Sequence, residues 1–361
     1  MNRRTAFSLL VAWLAWTGTA TAGAGNDAAE RLDRFRQLAA SRLGELELSG
    51  QALSEDALSE LYALLDDEIV ESLATGSFFA SQAFLQDRLD AFNEAWGGAA
   101  FRILSLPGSN LLVGAFQLSP TGPGNSIRIY RRNGNGAGLV SAIHREGVPL
   151  LQAMPTRRTG APQFLAAWVG PQSSGGNTGL RLELWQRQGE AVRLAWSTDP
   201  LADGGLQVSR FSLGGGELSF RYEVRYPGWK PGCAGQTEQE DLYRYVPAQE
   251  TFVLVRRRVH NGWHREFHAG LARFLAALNG KDARTLAGLV SRNTLRAKLP
   301  ARLEADPACD EADGSSPTSV SIAAREPTDR HPWTLVFRRT REGWRLAAAV
   351  PVEPVSARMI R

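Results

Sequence analysis

Ile127-Arg128-Ile129-Tyr130, Leu182-Glu183-Leu184-Trp185 and Leu242-Tyr243-Arg244-Tyr245 are the three short stretches on which the reading of this chain turns. Each alternates in character and ends on an aromatic residue, and the three recur 55 and 60 residues apart. Alternation of period two puts successive side chains on opposite faces of a strand. An apolar strand precedes each one (Leu111 to Leu118, Phe164 to Val169, Leu218 to Val224), and a further strand follows (Leu139 to Ile143, Ala191 to Trp196, Phe252 to Val255). From Phe101 to Arg258, Gly, Pro and Asn break the sequence into short apolar segments without helical periodicity, which predicts an all-β region. Asn133-Gly134 between two of these segments is a hairpin signal, because a type I′ turn needs positive φ at both central positions.

A cadence of about four strands per repeat resembles the blades of a β-propeller, and three repeats imply an open or irregular array of them. A β-sandwich built from the same strands is the alternative fold for residues 99–260.

Helical patterns flank the β-region. Within residues 23–98, Asp27 to Leu43 carries Leu32, Phe35, Leu38 and Ala39 on one face. Ser54 reads as the N-cap of a helix from Glu55 to Leu73, and a third helix runs from Ser81 to Trp96. After the β-region, Glu266 to Leu278 is amphipathic, Asn279-Gly280 stops it, and Asp282 caps a second helix expected from Ala283 to Leu299. Strands Ser319 to Arg325, Trp333 to Arg339 and Trp344 to Val350 close the chain. The run Phe274-Leu275-Ala276-Ala277-Leu278-Asn279-Gly280-Lys281-Asp282, with Leu286, Leu289-Val290 and Glu342-Gly343-Trp344-Arg345-Leu346, resembles the nuclear-transport-factor-2-like (cystatin-like cone) superfamily. That resemblance implies a small α+β domain over residues 261–361. It implies a fold far more than a function, because that superfamily holds enzymes, binding proteins and accessory domains.

The first 22 residues have the order of a secretory signal peptide: Arg3-Arg4, an apolar core from Ala6 to Trp16, then small residues containing Ala20-Thr21-Ala22. The core is too short to span a bilayer, so no stable membrane span is expected once it is removed. An exported chain with two cysteines most economically joins them, which predicts a Cys233–Cys309 disulfide. The net charge of +4 conceals a split, since residues 26–98 carry 15 acidic and 5 basic side chains and the remainder is basic. Export argues against nucleic acid as the partner of that basic remainder. An envelope protein or polysaccharide is the expected partner instead.

Few residues here could carry chemistry. Tyr226-Pro227-Gly228-Trp229-Lys230-Pro231-Gly232 places two aromatics and a cation on a Gly/Pro scaffold, so Tyr226, Trp229 and Lys230 are the candidate binding residues. A flat indole beside a cation suits a sugar ring or a peptide, and the competing reading is that Trp229 plugs a domain interface near the disulfide. His260, His264 and His268 are spaced by four, but Asn261-Gly262 interrupts the helix, and they read as junction residues rather than metal ligands. Asp306, Asp310, Glu311 and Asp313 lack the ligand alternation of a calcium loop and read as solvated. No nucleophile elbow, zinc-binding helix, phosphate loop or dinucleotide fingerprint is present, so no catalytic residue and no cofactor is assigned. The expectation is a multi-domain exported protein with a non-catalytic binding or assembly role in the cell envelope. The alternative is a hydrolase acting on a saccharide or envelope polymer.

Overall fold

The computed structural model describes residues 22–49, 55–97, 100–119, 124–134, 136–155, 160–173, 175–202, 205–312, 314, 316–328 and 330–352. The expected signal peptide falls outside them except for its last residue, as do Ser54 and Asp313. The chain divides into two compact units, Met1–Gly98 and Ala99–Arg361. The described residues form six α-helices and antiparallel sheets, with helices first and a β-rich region after them. None of these helices is long and apolar enough to cross a membrane.

In the first unit, α1 (Ala22–Ser49), α2 (Glu55–Thr75) and α3 (Gln82–Trp96) carry the expected apolar stripes. Ser81 caps α3 by accepting the Phe84 N–H at 3.3 Å. Phe35 of α1 meets Phe92 of α3 edge-on, with ring centroids 5.0 Å apart. Glu68 is buried in this acidic unit only because Arg31 and Arg88 hold its carboxylate at 3.1 and 2.7 Å.

The second unit opens with three four-stranded antiparallel meanders. The first is β1 (Ala100–Ser105), β2 (Leu111–Gln117), β3 (Ser126–Asn133) and β4 (Gly136–His144). The second is β5 (Val148–Ala153), β6 (Gln163–Gln172), β7 (Thr178–Gln188) and β8 (Ala191–Ser197). The third is β9 (Leu206–Gly214), β10 (Glu217–Glu223), β11 (Glu238–Val246) and β12 (Thr251–His260). The last two share one sheet, because β7 pairs with β8 along Glu183–Gln188 but with β9 along Thr178–Leu180.

These meanders stack face to face. On β6, Phe164, Ala166 and Trp168 enter the core shared with the first meander, and Leu165 and Ala167 enter the core shared with the third. Both faces of β6 are therefore apolar, as burial on two sides requires. Strand register makes the repeat explicit. Phe116 pairs with Ser126, Trp168 with Arg181 and Tyr222 with Gln239, at matching places between the second and third strands. Counting from those pairs, Val113, Leu165 and Ser219 are equivalent, and so are Ile127, Leu182 and Glu240. The first two of each set face a following sheet and are apolar, whereas the third meander has no successor and presents polar groups. A terminal repeat that must meet water requires this change.

Register corrects two sequence expectations. Leu112 faces Tyr130, Phe164 faces Trp185 and Leu218 faces Tyr243, so the third repeat's matching aromatic is Tyr243 and not Tyr245. Asn133 pairs with Gly136, so the β3–β4 loop starts one residue later than expected, with Gly134 at φ 50°.

The chain ends in α4 (Gly262–Asn279), α5 (Ala283–Leu289), α6 (Asn293–Arg296) and a five-stranded sheet. Its strands are β13 (Glu304–Ala305), β14 (Glu311–Ala312), β15 (Ser319–Arg325), β16 (Pro332–Thr340) and β17 (Gly343–Pro351). Phe267, Leu271 and Phe274 of α4 pack on Leu335, Phe337, Trp344 and Leu346. The single helix expected from Ala283 to Leu299 is two short ones. Val290 turns extended (φ −129°, ψ 94°) to bury its side chain completely in this core, and that ends α5.

Candidate functional site

The loop between β10 and β11 contains the three residues singled out by composition, and the structure turns them inward. Tyr226 Oη lies 2.5 Å from His264 Nδ1 and accepts the Thr237 N–H at 3.2 Å. Asp310 Oδ2 accepts from His264 Nε2–H at 3.0 Å, so Nδ1 of that ring is the acceptor to which the phenol donates. His268, one helical turn on, donates from Nε2 to the same oxygen at 2.6 Å. Lys230 Nζ holds Asp310 Oδ1 at 3.0 Å and also bonds the carbonyls of Asp306 and Ala308. Cys233 and Cys309 form the expected disulfide beside this cluster, with Cα atoms 5.5 Å apart.

Asp310 is thus far from the solvated carboxylate that its loop sequence implies, since only 3% of its side chain is exposed. Burial alone would raise its carboxyl, but hydrogen bonds from His264, His268 and Lys230 outweigh that and hold the group well below the usual carboxylate range. Burial raises the Tyr226 hydroxyl, which keeps it a phenol and a donor. Gly228 makes the close approach possible. It sits at φ 96°, and a Cβ there would lie 2.1 Å from His268 Nδ1.

His264, His268 and Asp310 place three ligand atoms within 4.8 Å of one another. Lys230 disfavours a metal here. Its ammonium already supplies the counter-charge, and a divalent cation beside it would set like charges together in a buried place. The cluster works as a staple tying the β10–β11 loop, α4 and the segment before β14. Trp229 belongs to the same loop, half-buried under Arg225, whose Cζ lies 5.1 Å from the ring centroid. Its indole N–H is buried and has no hydrogen-bond partner among the described residues. His260 is apart from the cluster, bound to Glu240 at 2.7 Å on β11.

Two clefts that the sequence did not single out open at the ends of the stacked sheets. One, of about 670 Å³, is lined by Arg145, Glu146, Trp168, Gln172, Arg181 and Gln207 among others. The second, of about 500 Å³, is lined by Leu201, Gln207, Tyr222, Arg225, Gln239 and Arg257 among others. Gly205 and Gln207 belong to both. The linings correspond, since the registered pair Trp168–Arg181 of the first recurs as Tyr222–Gln239 in the second. Behind each pair lies a wholly buried carboxylate. Glu183 accepts from the indoles of Trp168 and Trp185, both at 3.1 Å, and from Arg145 at 3.2 Å. Asp241 accepts from Tyr222 Oη at 3.1 Å and from both nitrogens of the Arg257 fork at 2.9 and 2.8 Å. Burial, followed by the Asp241 charge, pushes the Tyr222 hydroxyl far up and keeps it a donor. The Asp241 hydrogen bond leads the effects that raise Arg257.

No protein-family model matches the chain, and no curated protein does. Among solved structures it is similar to a mutant of Aleuria aurantia lectin in complex with Fucα1-6GlcNAc, at 13% identity and a TM-score of 0.20, covering 72% of this chain and 64% of that one. The same lectin mutant with α-methyl-L-fucoside gives 14% and 0.21, covering 72% and 63%. A protein from Lactobacillus plantarum gives 8% and 0.16, covering 69% and 68%. The chain spans less than two thirds of the length of the lectin structures.

Proposed function

We propose that this protein is an exported, non-catalytic binding module that holds a neutral polysaccharide of the cell envelope in its two tandem clefts. The observation that carries the reading is their equivalence: one set of registered positions, repeated in successive meanders, lines both. A repeated site suits a repeating ligand. The clefts present amide and guanidinium forks, and Arg145, Arg181 and Arg257 are each already paired with a carboxylate. Such forks donate hydrogen bonds while their charge is compensated, which suits hydroxyl groups better than free acids.

The rival reading, a saccharide hydrolase, needs two carboxylates facing one glycosidic bond about 5–10 Å apart. Each cleft is lined by a single carboxylate, Glu146 in one and Glu223 in the other, and the buried Glu183 and Asp241 behind them are spent on their own arginine and aromatic donors. The stacked meanders are, in this reading, an open array of propeller blades. The C-terminal sheet and α4–α6 are a short member of the transport-factor-like cone, acting as an accessory domain. An internal disulfide suits an oxidising compartment.

The test is calorimetric titration with neutral oligosaccharides of increasing length. A chain long enough to occupy both clefts should bind at least tenfold more tightly than one that fills a single cleft. Gln207→Ala, in the wall common to both, should weaken the long chain most. Absence of binding across the panel, or release of shortened sugars, would overturn the proposal.

A further inference from the structure

A groove of about 600 Å³ runs along β17, the edge strand of the C-terminal sheet, far in sequence from the clefts above. Its lining includes Arg292, Arg338 and Arg345 with the hydroxyl residues Ser291 and Thr340, and contains no carboxylate. Register sets Arg338 of β16 directly opposite Arg345 of β17. Like charges directly opposed across an antiparallel pair destabilise it. Arg345 has one acidic partner, Glu342, whose side chain is 73% exposed at the hairpin tip. Arg338 is exposed and makes no ion pair among the described residues. Arg292 reaches across from the N-cap of α6 to donate to the Ala347 carbonyl, and Arg345 Nη1 donates to Ser291 Oγ at 3.3 Å. These contacts with neutral oxygens fix two guanidinium groups in place, Arg292 with no ion pair among the described residues and Arg345 with only the exposed Glu342.

We propose that this groove binds a phosphate-type oxyanion, with Arg338 and Arg345 as the paired forks and Arg292 closing the third side. Planar guanidinium forks bond such oxygens bidentately, and an anion between the two strands turns an unfavourable cross-strand pair into a favourable one. Glu342 would exchange its bond to Arg345 for solvent at little cost, being on the surface. The site is independent of the saccharide reading, because none of its residues lines either cleft.

The experiment compares thermal unfolding of the full chain in inorganic phosphate and in sodium chloride of equal ionic strength. A second arm measures cosedimentation with phosphatidylglycerol vesicles and, as control, phosphatidylcholine vesicles. Phosphate should raise the wild-type Tm above the chloride value. Arg338→Gln should match or exceed the wild-type Tm in chloride, by relief of repulsion, and should lose the phosphate response. Arg345→Gln should lose that response as well. Anionic-vesicle binding that both substitutions abolish, without a response to free phosphate, would uphold the site and assign the oxyanion to a lipid headgroup. A response in neither arm, or one that survives both substitutions, would overturn it.

Discussion

Glu183 and Asp241 occupy the same position in successive meanders, each two residues beyond a registered pair, Trp168–Arg181 for the one and Tyr222–Gln239 for the other. Both are fully buried, and both are held by an arginine and by aromatic N–H or O–H donors. In the first meander the equivalent residue, counted from Phe116–Ser126, is Arg128. A buried carboxylate is tolerated only when its lone pairs are filled, so each of these acids depends on its donors as much as they depend on it.

Asp241→Asn should therefore be costly. It leaves the Arg257 fork without its counter-charge and makes Tyr222 compete for one amide oxygen. Since Arg257 is partly exposed, the expected loss is about 2–3 kcal/mol, below the roughly 3–5 kcal/mol of a fully buried pair. Urea unfolding measures it. Arg257→Met should cost more than Asp241→Asn, because it leaves a wholly buried carboxylate without its counter-charge, and the reverse order would contradict this account of the pair.

Asp310 makes stability depend on acid. Lys230, His264 and His268 face it, and its folded-state pKa is depressed. Its contribution is thus complete above the unfolded value of about 3.9 and fades as pH falls below that towards the folded one. Asp310→Asn should be clearly less stable than wild type at pH 7, and the gap should narrow between about pH 4 and pH 2. A gap independent of pH would show that the charge of Asp310 is not what stabilises the junction.

Gly228→Ala should disrupt the same junction by steric means. The new methyl carbon would meet the His268 ring, and alanine also resists a φ of 96°. The two effects together should cost about 2–3 kcal/mol. Circular dichroism melts would record the drop, and a neutral outcome would mean that the loop and α4 do not approach as closely as described.

Reduction of the disulfide should loosen the C-terminal sheet from the meanders. The bridge closes a loop of 76 residues, for which chain entropy gives about 4.5 kcal/mol. Cys233→Ser with Cys309→Ser should lower the urea midpoint in non-reducing buffer to the value that wild type shows in dithiothreitol. Equal midpoints for oxidised and reduced wild type would mean that the Lys230–Asp310 network holds the junction alone.

Much of the architecture was legible in the chain because it rests on local rules. Period-two alternation located the strands, 3.6-residue stripes located α1 to α4, and Asp282 capped α5 as its side chain dictates. The repeat of Ile127, Leu182 and Leu242 was visible, but register decided that Tyr243 takes the third aromatic place, since a pairing offset leaves no mark on composition. The break at Val290 was hidden too, because only the depth of the core pulls that residue out of helix.

The site was less legible. Tyr226 and Lys230 stood out in the sequence but serve a buried network whose centre, Asp310, looks like one more acid in a polar loop. The bridge expected between Cys233 and Cys309 could have pointed to it, since residue 310 must then lie near residues 226–230. Composition and spacing by themselves determined the segment types, the cysteine pairing and the lack of a catalytic signature, because each depends on neighbours along the chain or on simple counts. Which carboxylates are buried, which arginine answers each one, and that two meanders build matching clefts were settled only by tertiary structure. Those facts depend on which faces meet, and residues far apart in sequence carry no local record of meeting.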